Sequence, residues 1–453
     1  QMYRDWSAKV GFTPSRLYPV GGDGSLAPRL VPLKTYAETH PEFFAMGRDG
    51  QRGGRMLCLS NEEMFREGVR NLKRAFAGEE SPVRVEPHGI GISPPDGMPY
   101  CFCDDCRKQS LNFRYPRYGY LDRPSNSEEY YAFAARLARE FPDKFISTMA
   151  YSLRLFPPQG VSFEPNMAVQ VAPISSDVLH AGDTTLWRRR QTMEILRQYR
   201  EQTPHLWIYD YNPGFLTGFF LPERDAANMA VNVPLYKTLD IKGMNREGRK
   251  AFMQTWISYY VTAKLLWNAH TDVDALKEEF YTTFFGPSAG PHVRAWWDAC
   301  ERVLVESDMQ AHEDWLVSHL YTLEFTRSIR PHVEEALRAE TALAQRERLA
   351  AFALIVENLE SYAAMNDAEK RMDYAAAAEA AERMAEIKHE LHAIYSFFIS
   401  PCNRGRRFFA DGRAAHFRRL AAKTDVREGE LVAALPLEMK FRRDPFNEGV
   451  ITR

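Results

Sequence analysis

The sequence predicts a mixed α/β fold in which a TIM-like (β/α)8 barrel is followed by an α-helical domain. Between Leu30 and Gly248, short apolar runs alternate with helical stretches, which is the pattern of parallel strands joined by crossover helices. From about Gly286 the chain consists of long Ala-, Glu- and Arg-rich segments, such as residues 334–364, with apolar positions at helical spacing. After Lys423 it becomes irregular, with a strand-like run ending in a turn. We therefore expect a barrel over residues 1–285, a helical domain over 286–425, and the start of a truncated β-sandwich-like module or tail over 426–453.

Six apolar runs are candidates for the barrel strands, at residues 30–33, 83–92, 145–151, 167–174, 206–211 and 240–244. A closed barrel of this type has eight strands. Either residues 10–13 and an unrecognised segment supply the other two, or the first strand lies upstream of Gln1. Two helices have recognisable starts: Ser60, with Glu63 in a capping box, begins a helix to about Phe76, and Ser127 begins another to about Phe141.

The charge and hydropathy of the chain argue against two kinds of partner. A formal net charge of −2 offers no positive field that would attract nucleic acid, so we expect no nucleic-acid partner. No apolar run approaches the roughly 18 residues that a spanning helix needs, so we expect no membrane span. The chain begins with Gln1 and ends in a strand-like segment, which leads us to expect a processed or trimmed piece. The sequence predicts no particular oligomeric state.

Three carboxylates follow predicted strands and are the candidate catalytic residues. They are Asp96 after the Pro94–Pro95 pair, Asp210 between two tyrosines, and Glu247. In a parallel barrel the ligand lies at the carboxyl ends of the strands. Hydrolysis of a glycosidic bond needs one carboxylic acid over the leaving oxygen and a second group that attacks or stabilises the anomeric carbon. For each acid taken alone, a loop cap or a surface ion pair is the competing interpretation.

Several polar and aromatic side chains near the same strand ends are candidates for substrate binding. An aromatic content of 13% suits stacking on sugar rings, although filling of a large core explains it equally well. His88 lies within a predicted strand, where a core histidine is the alternative. The candidates are His88, Tyr151, Trp207, Tyr209, Tyr211, Asn212, Asn245 and Arg246.

Four cysteines form a candidate metal site. Cys101, Cys103 and Cys106 lie within six residues, and Cys58 follows a neighbouring predicted strand. Four thiolates can close a tetrahedral zinc site of structural type. Disulfides, which are natural in a secreted protein, and free buried thiols are the alternatives. No cofactor is expected to be required for catalysis.

An ordered series of sequence blocks resembles a set of bacterial proteins known as domain of unknown function 4838. The likeness covers about residues 30–290. The blocks are HPEFFA at 40–45, LCLSN at 57–61, SPPDG at 93–97 before the cysteines, YDY at 209–211, KGMNRE at 242–247, AKLLWN at 263–268 and DVDAL at 272–276.

Members of that set are placed in glycoside hydrolase family 163, which are endo-β-N-acetylglucosaminidases acting on complex N-glycans. The resemblance therefore implies a bacterial enzyme, secreted, periplasmic or on the cell surface, with a glycan or glycoprotein substrate. It implies retaining chemistry in which the acetamido group of the substrate acts as nucleophile. Proton donation would fall to Glu247, and support of the acetamido group to Asp210 or Asp96.

Three other functions stay open from the sequence. The block around Trp267 and Asn268 is similar to the region after the barrel of α-glucuronidases, so cleavage of uronic acids is one alternative. A non-catalytic glycan-binding protein on the same scaffold is a second. A structural module of a larger assembly is the third.

Overall fold

The protein is described by a computed structural model over residues 24–96, 100–114, 125–173, 186–211, 219–223, 225–246, 252–307, 313–394 and 410–424. Two compact units account for it. The first comprises Gln1–Ser176, Arg190–Asp210 and Tyr236–Asn245, and the second Asp177–Arg189, Tyr211–Leu235 and Arg246–Arg453. Among the described residues no helix has the length and apolar character to cross a membrane.

Strands in the described residues fall into a hairpin and a five-stranded sheet. In the hairpin, β1 (Phe44–Met46) pairs antiparallel with β2 (Arg52–Leu57). The sheet runs in chain order, with β3 to β6 paired in parallel and β7 beside β6. Its strands are β3 (Gly89–Gly91), β4 (Phe145–Ala150), β5 (Met167–Val171), β6 (Leu206–Asp210) and β7 (Gly243–Arg246).

Helices of the first part of the chain accompany these strands. Every residue of β5 is buried, as expected for a parallel strand covered on both faces. Tyr130, Phe133 and Leu137 lie on the buried face of the helix that precedes β4. The helices are α1 (Leu26–Leu30), α2 (Leu33–Tyr36), α3 (Glu62–Phe76), α4 (Asp104–Gln109), α5 (Leu111–Arg114), α6 (Ser127–Glu140), α7 (Trp187–Gln202) and α8 (Asp225–Thr238).

The mixed α/β class is confirmed, with differences from the predicted elements. The described residues contain five strands of the parallel sheet, which is fewer than a closed eight-stranded barrel requires. The strand predicted at residues 30–33 is wrong, because Pro32, which lacks an N–H, separates α1 from α2 there. Asn61, and not Ser60, caps α3 by accepting the Met64 N–H at 2.8 Å. The candidate strand at residues 10–13 lies outside the described residues.

Described residues from 252 onward form helices joined by short loops, with no strand among them. Trp256, Phe285, Trp297 and Phe352 are buried and form an aromatic core for this part of the second unit. The helices are α9 (Phe252–Trp267), α10 (Val273–Phe285), α11 (Gly290–Val305), α12 (Glu313–Leu320), α13 (Leu323–Arg338), α14 (Leu343–Lys370), α15 (Tyr374–Ile394) and α16 (Ala410–Thr424). The helical segment expected at 334–364 is divided between α13 and α14, and residues 426–453 lie outside the described part of the chain.

Candidate functional site

Asp96 lies on the loop that follows β3, and this loop is anchored by the start of the described chain. Residues 92–95 are buried, whereas Asp96 is exposed. The Ser93 N–H donates to Ser25 Oγ at 2.7 Å, and the Ser93 carbonyl accepts the Leu26 N–H at 3.0 Å. The Pro94 carbonyl accepts the Gly24 N–H at 3.2 Å. The loop backbone is therefore held immediately before the candidate carboxylate.

Tyr151, the first residue after β4, contacts Asp96. Its hydroxyl donates to Asp96 Oδ1 at 3.4 Å, a long contact. The next residue, Ser152, has a φ of +53°, a backbone region that non-glycine residues rarely adopt. Strained backbone of this kind is concentrated at functional sites. Two of the residues predicted from the sequence, Asp96 and Tyr151, are thus neighbours at this edge of the sheet.

Asp210 is the last residue of β6 and is half-buried between Tyr209 and Tyr211, which are also half-buried. Trp207, earlier on the same strand, lies over Gly243 of β7. A Cβ atom on Gly243 would come within 2.5 Å of the Trp207 ring. Trp207 therefore packs against the sheet, while Asp210 lies at the carboxyl end of the strand.

The two residues at the end of β7 have different surroundings. Asn245 is exposed. The Arg246 side chain is only 9% exposed, and its Nη2 lies 2.6 Å from Oδ2 of the fully buried Asp225. Arg246 Nη1 also donates to Thr262 Oγ1 at 2.7 Å. The guanidinium thus forms a buried ion pair within the second unit.

The sequence did not predict two buried acids near the start of α8, Glu223 and Asp225. Asp225 contacts Arg246, and Glu223 accepts the Ser258 hydroxyl at 2.8 Å. Burial raises the pKa of the neighbouring Tyr259; Arg246 lowers it, whereas the charges of Glu223 and Asp225 raise it further. Acidic residues at a helix start are usually attributed to the helix dipole, so the sequence offers no signal that singles these two out.

Other predicted site residues lie apart from this edge or outside the described residues. His88 is exposed and precedes β3, at the opposite end of that strand from Asp96. Asn212 and Glu247 lie outside the described residues.

The four predicted cysteines come together in the first unit. Cys58 follows β2, and Cys101, Cys103 and Cys106 lie on the loop and first turn leading into α4. Their four sulfur atoms all lie within 4.8 Å of one another, so these residues could hold a metal ion. Cys300 is buried in α11 of the second unit.

A family model and several solved structures are similar to this chain. No curated protein matches it. In structure it is similar to a mutant of the O-GlcNAc hydrolase of Thermobaculum terrenum, with 13% identity, a TM-score of 0.38, and coverage of 81% of this chain and 77% of that one. It is also similar to a GH138 enzyme targeting pectin rhamnogalacturonan II, with 7% identity, a TM-score of 0.34, and coverage of 81% and 72%.

Both TM-scores lie below 0.5, and neither likeness assigns an activity to this chain. The family model described as "Domain of unknown function (DUF4838)" matches residues 24–298, which is more than half of the sequence. The chain therefore belongs to the DUF4838 family.

Proposed function

We propose that the protein is a glycoside hydrolase that uses carboxylates at the carboxyl ends of parallel strands. The observation that carries the proposal is the position of two acids in one sheet: Asp96 lies on the loop after β3, and Asp210 is the last residue of β6. Ligands of parallel α/β sheets bind at this end of the strands. Tyr151, whose hydroxyl contacts Asp96, supplies aromatic surface for a sugar ring at this edge of the sheet. The sheet would form part of a (β/α)8 barrel.

The three acids have different proposed roles, which follow from the resemblance to glycoside hydrolase family 163. Asp210 ends β6, and in sequence Glu247 directly follows Arg246, the last residue of β7. We assign proton donation to Glu247 and stabilisation of the reacting centre to Asp210, with Asp96 as the alternative for the second role.

The proposed substrate is β-linked N-acetylglucosamine within complex glycans. This choice follows from the resemblance to glycoside hydrolase family 163. The acetamido group of the sugar would attack its own anomeric carbon, and Asp210 or Asp96 would orient and stabilise that group. Such an enzyme would act outside the cytoplasm of a bacterium, in secreted, periplasmic or cell-surface form.

The test is release of labelled glycan from complex N-glycoproteins, with oligosaccharides bearing glucuronic acid in the same panel. Wild type is compared with Asp96→Asn, Asp210→Asn and Glu247→Gln. Asp143→Asn is the matched control, because Asp143 is an exposed acid just before β4, at the opposite end of the strands. We expect cleavage within the chitobiose core, and a loss of about 10²–10⁴-fold in at least one of the three variants but not in the control.

Two results would contradict the proposal in different ways. Release of uronic acid alone would identify an α-glucuronidase-like enzyme. Binding of glycan that is equal in wild type and Glu247→Gln, with no cleavage by either, would identify a non-catalytic glycan-binding protein.

A further inference from the structure

We propose that Cys58, Cys101, Cys103 and Cys106 bind one zinc ion in a closed structural site. From the sequence alone, zinc, disulfides and free thiols were all open. The three-dimensional arrangement favours zinc, because all four sulfur atoms lie within 4.8 Å of one another in the first unit.

Two of the distances between the sulfur atoms match those of a tetrahedral thiolate site, and all of them are within 4.8 Å. A Zn–S bond of about 2.3 Å in tetrahedral geometry places neighbouring sulfur atoms about 3.8 Å apart. Cys58 Sγ lies 3.7 Å from Cys103 Sγ and 3.9 Å from Cys106 Sγ. A disulfide requires about 2.05 Å between its sulfur atoms. The same Cys58 sulfur approaches two others at almost equal distance, which fits a shared central ion better than a bonded pair.

Groups around the cluster are suited to a site with excess negative charge. The Met46 N–H donates to Cys101 Sγ at 3.3 Å. Ser60 Oγ lies 3.1 Å from Cys106 Sγ, where its hydroxyl can donate. The Arg52 guanidinium lies beside Cys58 and within electrostatic range of Cys101. With zinc bound, these donors and this cation would orient the thiolate ligands and offset their negative charge.

Burial and ligand number indicate a structural rather than a catalytic ion. Cys58, Cys101 and Cys106 are buried, and Cys103 is half-buried. Four protein ligands fill a tetrahedral zinc, which leaves no position for water or substrate. The ion would therefore hold the chain together and would not take part in the chemistry.

The proposed ion would join two segments that are distant in sequence. Cys58 follows the β1–β2 hairpin, whereas the other three ligands lie on the segment after the Asp96 loop. A backbone contact already links the two segments, since the Phe102 N–H donates to the Met46 carbonyl at 2.9 Å. The zinc would add a cross-link between these segments a few residues from Asp96, and this role does not depend on the proposed activity.

The first test uses the unmodified full-length chain, produced in zinc-containing medium. We expect about one zinc per chain by elemental analysis. Titration with an organomercurial should release that zinc in step with modification of four thiols, followed with a zinc-binding dye. Exchange into Co²⁺ should produce the absorption bands of a tetrahedral cobalt–thiolate centre. A chain that contains no zinc and produces no cobalt–thiolate bands, or whose mass is lower by four hydrogens because of two disulfides, would overturn the proposal.

The second test uses single variants with a matched control. Cys58→Ser and Cys103→Ser should each lose the bound zinc. Cys300→Ser removes a buried thiol of the second unit and should retain one zinc per chain. Full zinc content in both Cys58→Ser and Cys103→Ser would show that the ion is bound elsewhere. Should either variant fail to fold, the mercurial and cobalt results on the unmodified chain decide the matter.

Discussion

Glu129 of α6 is a carboxyl group in the interior of the first unit. It is 9% exposed and borders a small cavity also lined by Tyr100, Ser110 and Asn126. Burial raises its pKa to about 7, an effect that the nearby Arg154 partly opposes. The folded-state pKa therefore exceeds the ordinary value of 4.5, so the fold favours the protonated carboxyl. The contribution of protonated Glu129 to the free energy of unfolding is fully present below about pH 4.5 and is lost as the pH rises through about 7.

Replacement of Glu129 by Gln removes this ionisation while preserving shape. We expect the variant to gain stability relative to wild type between pH 5 and pH 8, by on the order of 3 kcal/mol. Urea unfolding at the two pH values measures the difference. Glu140→Gln, at the exposed end of the same helix, serves as control and should show little pH dependence. An advantage of Glu129→Gln that is equal at both pH values would refute the assignment.

At the scale of elements, the pairing of β3 with β4 depends on a glycine. Gly89 pairs with Phe145 and has a φ of +153°, and a Cβ atom there would lie 2.0 Å from the Phe145 carbonyl oxygen. Gly53 of β2 has almost the same φ, +156°, but has open space around it. Alanine variants at the two positions therefore distinguish the cost of the steric contact from the cost of the backbone conformation.

Gly89→Ala should therefore destabilise the fold much more than Gly53→Ala. In the control, Gly53→Ala, the loss of stability comes mainly from the unfavourable backbone conformation and should be about 1–3 kcal/mol. Gly89→Ala must in addition displace the backbone of β4. Denaturant midpoints of the two variants give the comparison. Equal losses would mean that β3 and β4 are not in close contact at this position.

Helices α10 and α11 are joined by a buried lysine. Lys277 Nζ lies 2.7 Å from Glu301 Oε2 and also contacts Asp298, and the Lys277 and Glu301 side chains are 9% and 10% exposed. Burial lowers the pKa of Lys277, but Glu301 and Asp298 outweigh burial and raise it. The pair therefore persists at neutral pH.

Lys277→Met should cost about 3–5 kcal/mol, because it leaves a buried carboxylate without its cation. Lys73→Met removes an exposed pair with Glu140 and should cost no more than about 1 kcal/mol. Thermal or urea unfolding distinguishes the two losses. Similar small losses in both variants would show that Lys277 is solvated.

At the scale of the whole molecule, the predicted domain border at residue 285 passes through the aromatic core of the second unit. Trp256 and Phe285 have ring centroids 5.5 Å apart, and Phe285 is 6.1 Å from Phe352. Trp296 is 5.2 Å from Phe352. Large buried aromatic side chains dominate core energetics, so this cluster should join the two sides of the border into one folding unit.

A fragment of residues 1–285 should therefore be insoluble or unfolded, because it exposes Trp256 and Phe285. Expression beside the full chain, followed by circular dichroism and an unfolding curve, measures this. A soluble fragment with cooperative unfolding would instead support an independent domain ending at residue 285.

Particular residues show what the sequence could predict. Residues 145–151, 167–174 and 206–211 match β4, β5 and β6 within a few residues, since strands of a parallel sheet form apolar runs of suitable length. Residues 30–33 did not form a strand, because a short apolar run does not by itself distinguish strand from helix. Likewise Asp96 and Asp210 were recognised by their place after a strand, whereas the ion pair of Asp225 with Arg246 was not.

The amino-acid sequence by itself determined the α/β class, most strands of the sheet, the helical character of the later chain, and the membership of four cysteines in one candidate site. These features depend on local periodicity and on motif spacing, which are visible along the chain. Only the tertiary structure decided that the sulfur atoms of Cys58 and the other three cysteines lie within 4.8 Å of one another, that Tyr151 contacts Asp96, and that Arg246 is paired with Asp225. Such contacts join residues far apart in sequence, and their geometry is determined by how helices and strands pack together.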